Sequence, residues 1–221
     1  MIVIVAAALA LAASDDALLE RLRAIDSRAA EVRSLTADFE QTRHTPLVRK
    51  PMTSRGRVAV LGPLVRWDTT EPARSTLAVD ESTVRIYYPD DRVCEEYPLR
   101  DDLRALTASP LPRLDPMLER FTLHPLDAVL LDPDATAPRW IAFELRPKDP
   151  ALAEHVERVR VLVDETAPAI HRLETLSPDA EKTLIVFREI RLGADVRTPD
   201  VTLRLPEGTT LSRPLGDPGS P

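Results

Sequence analysis

Short stretches with an apolar residue at every second position are the feature that most limits how this chain can fold. Val58 and Val60 alternate with Arg57 and Ala59, and a similar alternation occurs in three further stretches. These are Val84–Tyr88, Val159–Val163 and Val201–Leu205. Such alternation is typical of strands that have one apolar and one wetter face, as in antiparallel sheets. We therefore expect a mainly β protein whose strands each bury one face.

Proline, rather than glycine, separates these stretches. The chain of 221 residues contains 21 prolines but only 6 glycines. Breaks such as Gly62-Pro63, Glu71-Pro72 and Asp132–Asp134 lie between the predicted strands. So few glycines disfavour a parallel sheet with a glycine-rich phosphate loop. The net charge of −7 also disfavours a nucleic-acid-binding protein, which would present a basic face.

An apolar, alanine- and leucine-rich run occupies residues 1–13 and ends in small residues. It is too short to cross a bilayer as a helix, which takes about 20 residues. We interpret residues 1–13 as a signal peptide and expect an exported, periplasmic protein. Because no Lys or Arg precedes the run, two alternatives stay open: the true start lies further upstream, or the run is a buried N-terminal helical turn.

Helical spacing of apolar residues predicts one long and two short helices. Between Asp15 and Arg33, apolar residues recur every three or four positions, which predicts an amphipathic helix. The spacing of Leu99, Leu103 and Leu106 predicts a second helix, and Asp115-Pro116 begins a third that leads to Leu118 and Phe121. We find no repeat or domain-sized linker, so we expect a single domain over residues 14–211 and a disordered tail at 212–221.

Residues that could perform chemistry are few, and their spacing singles out no catalytic group. The four histidines lack the spacing of zinc ligands, and no G-x-S-x-G motif is present. The single cysteine, Cys94, precedes Glu95 and Glu96, the reverse of the electropositive setting that activates a thiol. We therefore expect no catalytic residues, no metal and no cofactor, and predict a binding protein rather than an enzyme.

The predicted sheet has an apolar face that must be covered. Either the sheet curls around its own side chains, or it encloses a ligand cavity with the helices as cover. The pattern alone leaves both arrangements open.

A series of short motifs runs in a fixed order through residues 15–210. They are Ser34–Gln41, Ser54–Val58, Pro63–Trp67, Glu71-Pro72, Val79–Val84, Tyr87–Pro89, Thr183–Phe187 and Leu205–Thr209. In this order the chain resembles the LolA-type outer-membrane lipoprotein carrier proteins, which are periplasmic lipoprotein chaperones. The resemblance implies an α+β fold: an unclosed antiparallel β-barrel, or half-barrel, with a helical lid over an apolar cavity.

The same resemblance implies a function without catalysis. A carrier of this kind binds the acyl chains of lipoproteins and moves them from the inner to the outer membrane. Its partners would be acylated lipoproteins, an inner-membrane lipoprotein-releasing ABC transporter and possible outer-membrane acceptors, with no nucleic acid involved and the carrier itself a monomer. Alternatives remain: a lipid or glycolipid carrier or lipoprotein sensor of similar fold, or, in a different class, an extracytoplasmic enzyme or assembly factor without a lipid cavity.

We predict the ligand-contacting residues from these matches and from the apolar pattern. The predicted acyl cavity and its mouth are lined by Phe39, Val58, Val60, Leu64, Val65, Trp67, Ile86, Tyr88, Phe143 and Phe187. The predicted lid helices contribute Leu103, Leu106, Leu118 and Phe121. One departure concerns the lid: Gly62 precedes Pro63 where LolA proteins typically carry an arginine that holds the lid closed.

Overall fold

Twelve strands, four α-helices and a 3₁₀ helix (Ala128–Leu130) are present in the computed structural model, which describes residues 2–99 and 109–214, with side chains from Asp16 onward. The helices are α1 (Ile2–Glu31), α2 (Leu114–Arg120), α3 (Pro150–Ala153) and α4 (Thr198–Val201). The first six strands are β1 (Ser34–His44), β2 (Met52–Leu61), β3 (Leu64–Glu71), β4 (Ser75–Val79), β5 (Thr83–Tyr88) and β6 (Val93–Pro98). The others are β7 (Phe121–Leu126), β8 (Trp140–Pro147), β9 (Arg158–Asp164), β10 (Ile170–Leu176), β11 (Lys182–Leu192) and β12 (Thr210–Ser212).

The strands form one unclosed sheet in the order β12-β6-β5-β4-β3-β2-β1-β11-β10-β9-β8-β7. Neighbours such as β1–β2, β2–β3 and β8–β9 pair antiparallel, whereas β12 pairs parallel to β6. The predicted fold class, mainly β with a few helices and an unclosed antiparallel sheet, is confirmed. The helical lid and the apolar cavity stay predictions.

The described residues form two compact units. The first unit comprises Met1–Glu31 and Leu111–Leu184, and the second comprises Val32–Pro110 and Ile185–Pro221.

In the first unit, α1 buries one stripe of apolar side chains. Leu22, Ile25 and Ala29 are almost fully buried, as their helical spacing predicts. Polar groups beside this stripe attach α1 to the rest of the unit. The Arg21 guanidinium forms a two-pronged ion pair with Glu165, and the Asp26 carboxylate accepts a 2.8 Å hydrogen bond from the first N–H of α2, that of Leu114.

Three predicted elements differ from the structure. Val201–Leu205 is not a strand: α4 ends at Val201, and residues 202–205 form neither helix nor strand. Phe121 is not on a helix but begins β7, where its side chain is fully buried. The helix predicted to start near Asp15 extends back to Ile2, and residues 6–13 of this added part are all alanine or leucine, which are strong helix formers.

Other predictions meet the limits of the described residues. Leu103 and Leu106 lie outside them, and so do residues 215–221 of the predicted tail. Within that predicted tail, Ser212 ends β12 and the Arg213 guanidinium pairs with Glu96 at 3.1 Å.

The end strands of the sheet are short or interrupted. β12 has three residues, and β7 contains Pro125.

Nowhere in the described part of the chain is a helix both long and apolar enough to span a membrane.

Candidate functional site

One face of the sheet in the second unit is almost entirely apolar across β1 to β6. Residues paired across an antiparallel ladder lie on the same face, so the register identifies the rows of side chains. One row consists of Leu35, Val60, Val65, Val79, Val84 and Tyr97. The next row consists of Ala37, Val58, Trp67, Leu77, Ile86 and Glu95. We call these twelve side chains, together with Phe39, Tyr88 and Phe187, the apolar face.

Trp67 lies at the centre of an aromatic cluster on this face. Its ring meets that of Phe39 at a centroid distance of 4.7 Å and that of Phe187 at 5.5 Å, both with the rings inclined by 60°. Edge-to-face contacts of this kind contribute attraction beyond simple burial. The cluster joins β1, β3 and β11 at one place and fixes the position of the Trp67 indole.

Burial is uneven over the apolar face. Leu35, Val58 and Val60 are at most 2% exposed and form a closed core. Trp67, Leu77 and Ile86, in contrast, are only half-buried although they are neighbours in one cross-strand row. This row offers apolar surface that a ligand can cover, whereas the β1–β2 end of the face is already packed.

A polar rim ends the apolar face at β6. The Glu95 carboxylate, which pairs in register with Ile86, accepts a 3.0 Å hydrogen bond from the Tyr97 hydroxyl. Burial and the charge of Glu95 raise the pKa of Tyr88 above its usual value, so its hydroxyl stays protonated at neutral pH. The row therefore runs from an aromatic centre to a hydrogen-bonding rim.

The structure brings eight of the ten predicted cavity residues onto this one face. They are Phe39, Val58, Val60, Val65, Trp67, Ile86, Tyr88 and Phe187. Leu64 lies on the opposite face, because adjacent residues of a strand point to opposite sides and Leu64 pairs with Leu61. Phe143 belongs to β8 in the first unit, where it is buried and pairs with Val161.

The predicted lid residues within the described range do not share one element. Leu118 is half-buried on α2, and Phe121 begins the strand that follows it. As ligand contacts, all of these residues stay predictions.

Leu77 was missed by the sequence reasoning. It lies between Trp67 and Ile86 in the half-buried row, yet its strand has only five residues, Ser75–Val79. A signal was present, since Leu77 and Val79 alternate with smaller residues. So short an alternation is weak evidence by itself, and the cross-strand register is what assigns Leu77 to the site.

The opposite face of the same strands is polar. A pocket of about 630 Å³ lies on it, lined by Thr36, Arg57, Ala59, Arg66, Asp68, Arg191, Ala194, Asp195, Val196, Pro199 and Asp200. Arg66 donates two hydrogen bonds to the Asp68 carboxylate, at 3.0 and 2.9 Å, and a third at 3.0 Å to the carbonyl of Thr202 just after α4. A pocket lined by arginines and aspartates disfavours acyl chains, so the apolar face fits the predicted acyl cavity better than this pocket does.

Gly62 stands where LolA proteins typically carry the lid arginine. It lies in the two-residue turn between β2 and β3. Its φ is +58°, a left-handed value that disfavours residues with a side chain. Its N–H donates a 2.8 Å hydrogen bond to the Arg33 carbonyl. The turn geometry thus selects glycine here.

Burial shifts the pKa of two side chains that could take part in chemistry, Cys94 and His171. The Cys94 side chain is fully buried, and burial raises the pKa of its thiol, so the reactive thiolate is suppressed. Burial lowers the pKa of His171, which packs edge-on against Trp140 at 4.9 Å. Within residues 2–99 and 109–214, no group of three or more His, Cys, Asp or Glu side chains could hold a metal ion.

Comparison with known proteins gives one family match. A family model described as outer membrane lipoprotein carrier protein LolA matches residues 30–199. Among curated proteins, none matches this sequence significantly.

Several solved structures resemble this one. An uncharacterised conserved protein from Thermus thermophilus is 12% identical, with 90% of this chain and 99% of that chain covered and a TM-score of 0.54. A LolA superfamily protein from Nitrosomonas europaea is 13% identical, with 82% and 97% covered and a TM-score of 0.40. A chain of the MucA/MucB complex from Pseudomonas aeruginosa is 15% identical, with 85% and 60% covered and a TM-score of 0.46. At such identities the first of these likenesses shows a shared fold and nothing about function.

Proposed function

Because the chain belongs to the outer membrane lipoprotein carrier protein LolA family, we propose that it is a periplasmic carrier that binds the acyl chains of lipoproteins and moves them from the inner to the outer membrane. The observation that carries this proposal is the half-buried row of Trp67, Leu77 and Ile86 on the apolar face. The acyl chains of a lipoprotein are poorly soluble in water, and this row provides an apolar surface on which they can be buried.

The energetics of an acyl chain support such a site. Burying apolar chain gains about 0.8 kcal/mol per CH₂, so an acylated protein does not cross an aqueous space unshielded. A carrier must also release its cargo, and a surface of half-buried aliphatic and aromatic side chains binds by area rather than by directional bonds. Binding of this kind becomes stronger as the acyl chain becomes longer, and it involves no chemical reaction.

Location and partners follow from the same proposal. The predicted signal peptide at residues 1–13 and the family match both favour the periplasm. An inner-membrane lipoprotein-releasing ABC transporter would load the carrier, and an outer-membrane acceptor would unload it. The buried Cys94 thiol, whose pKa is raised by burial, supports a binding role without catalysis.

Tryptophan fluorescence can test the binding site directly, because the chain has only two tryptophans, Trp67 and Trp140. In a Trp140→Phe variant, a synthetic triacylated lipopeptide with brominated acyl chains is expected to quench Trp67. In the matched Trp67→Phe variant, the same lipopeptide is expected to leave Trp140 emission nearly unchanged. Equal quenching of both tryptophans, or of neither, would contradict the proposal. Quenching by brominated free fatty acid but not by the lipopeptide would favour the lipid-carrier alternative.

Two leucine variants test which face binds. Leu77 and Leu64 are both half-buried and lie on adjacent strands but on opposite faces. We expect Leu77→Gln to weaken lipopeptide binding about tenfold, since a polar amide replaces apolar contact area worth roughly 1–2 kcal/mol. Leu64→Gln should leave the affinity unchanged, with circular dichroism confirming that both variants fold. Loss of binding in Leu64→Gln alone would place the site on the other face.

A further inference from the structure

The turn between β1 and β2 exposes large apolar side chains at its tip. Leu47 is 91% exposed, Val48 48% and Met52 51%. We call residues 43–52 the β1–β2 tip. A leucine that is nine-tenths exposed has almost no protein neighbours, so the fold itself gives no reason for an apolar residue at this position.

Positive charge surrounds these apolar side chains. The tip contains Arg43, Arg49 and Lys50 and no acidic residue, and the chain has no Asp or Glu between Glu40 and Asp68. Arg49 and Lys50 are exposed, and neither pairs with a carboxylate of the described residues. In a protein with a net charge of −7, this is a local region of opposite sign.

The backbone of the tip is already prepared for an apolar environment. The Val48 N–H donates to the Thr45 carbonyl at 3.2 Å, and the Leu47 N–H lies 3.4 Å from the Thr45 hydroxyl oxygen. Pro46, which precedes them, has no N–H. Unpaired backbone donors are what makes irregular chain costly in lipid, and here the two most apolar residues of the turn have partners within the turn.

We propose that the β1–β2 tip docks on a bilayer surface that contains anionic phospholipid. Leu47 and Val48 enter the boundary between headgroups and acyl chains, while Arg49 and Lys50 lie at the level of the phosphates. The proposal does not depend on acyl-chain binding by the apolar face, which lies elsewhere in the second unit.

A bilayer fits this tip better than a protein partner does. A specific protein interface buries about 800 Å² on each side, more than a narrow turn with one protruding leucine provides. Apolar side chains bordered by cations instead match the layered chemistry of a membrane surface, in which phosphates cover hydrocarbon. No carboxylate within the tip opposes the approach to anionic lipid.

A fluorophore at the tip tests the proposal on the full chain. An environment-sensitive dye is attached to Leu47→Cys or, as a matched control, to Leu130→Cys, another exposed leucine at 65% exposure. The buried Cys94 does not compete for the label. With vesicles of phosphatidylglycerol and phosphatidylcholine, we expect a blue shift and quenching by brominated lipid at position 47 but not at position 130. Comparing the two singly labelled variants separates insertion of the tip from membrane binding by any other segment.

Charge variants complete the experiment. In the Leu47→Cys background, Arg49→Gln with Lys50→Gln should lower the partition coefficient measured by the dye about tenfold or more. Arg23→Gln with Arg188→Gln, which removes the same charge from exposed positions elsewhere, should not. No blue shift at position 47, an equal response at positions 47 and 130, or an equal response with phosphatidylcholine alone would each overturn the proposal. Equal thermal unfolding of all variants confirms that the exposed substitutions leave the fold intact.

Discussion

Gly56 lies where the backbones of β2 and β3 approach each other closely. A Cβ atom added to it would lie 2.0 Å from the Asp68 carbonyl oxygen and 2.8 Å from the Thr69 Cα. The register of β2 with β3 shifts between Arg55 and Gly56, and Gly56 pairs with Phe39 of β1 on its other side. Because both obstructing atoms are backbone, they cannot move aside as a flexible side chain would.

We therefore expect Gly56→Ala to lower the free energy of unfolding by about 1–3 kcal/mol or more. Gly62→Ala is the matched comparison, since a Cβ there meets no atom within 4 Å but the φ of +58° is left-handed. Its expected cost is only about 1 kcal/mol, the usual penalty for such a φ. Urea unfolding of both variants measures the difference, and a smaller loss in Gly56→Ala would contradict the close approach.

For single residues, the sequence predicts which side chains are apolar better than it predicts the face of the sheet to which each one points. Leu64 and Val65 are both among the residues predicted from the sequence to line the acyl cavity and its mouth, yet neighbours in a strand point to opposite faces. Only the register assigns Val65 to the apolar face and Leu64 to the polar one. The notable case is Leu77, for which the pairing partners Trp67 and Ile86 supply the information that its own short strand lacks.

A ladder of alternating charges crosses four neighbouring strands, β8 to β11. Glu144 accepts a 2.9 Å hydrogen bond from Arg160, Arg160 also contacts Glu174, and Glu174 pairs with Lys182 at 3.0 Å. Arg146 adds a second hydrogen bond to Glu144 at 2.8 Å. Burial by itself would raise the pKa of Glu144, but the hydrogen bonds from Arg160 and Arg146 outweigh it and hold that pKa below its usual value.

This ladder makes stability depend on pH in the acid range. A carboxyl whose pKa is lower in the folded than in the unfolded protein stabilises the fold at neutral pH. That contribution is lost as the pH falls from the unfolded value, about 4.3, through the folded one. We expect Glu144→Gln to lower the free energy of unfolding at pH 7 by about 1–3 kcal/mol, a loss that shrinks below about pH 4.

Urea unfolding at neutral and acid pH, with the exposed Glu154→Gln as control, measures this effect. The control should change stability by less than about 0.5 kcal/mol. A loss in Glu144→Gln that stays the same at all pH values would show that the carboxylate charge is not the stabilising feature.

Elements were predicted well where the pattern is long and poorly where local chemistry competes with it. The alternation at Val159–Val163 falls within β9, whereas the same alternation at Val201–Leu205 does not form a strand. A proline lies at the start of a helical turn there, the Asp200 carboxylate accepts from the Arg197 N–H at 2.8 Å, and Thr202 donates to the Thr198 carbonyl. Capping contacts of this kind decide the structure of a short segment against its hydrophobic period.

For the whole molecule, acyl-chain binding has a measurable thermodynamic consequence. A ligand that binds only the folded state at about 100 times its Kd stabilises it by about 2.7 kcal/mol. For a chain of this length that corresponds to a rise in Tm of about 5–10 °C. We expect this shift with a triacylated lipopeptide and none with the same peptide lacking acyl chains. Differential scanning calorimetry measures both, and an equal shift with the two peptides would contradict binding through the acyl chains.

The sequence predicts the fold class, a mainly antiparallel sheet, but not which strands pair with each other. Alternation along β2, β5 and β9 indicates an antiparallel sheet, because each strand carries its own evidence of one buried face. The pairing of β1 with β11, and of β12 in parallel with β6, joins segments that are distant in sequence. Such pairings are set by packing and loop closure over the whole chain, which no local pattern encodes.

The two end strands of the open sheet have a consequence for self-association. Unpaired backbone groups at a sheet edge are where β proteins recruit further strands and grow into fibres. At one end the three residues of β12 leave only a short row of such groups, and at the other Pro125 of β7 has no N–H to offer. An unclosed sheet normally risks edge-to-edge polymerisation, and in this chain the short β12 and the proline of β7 lower that risk.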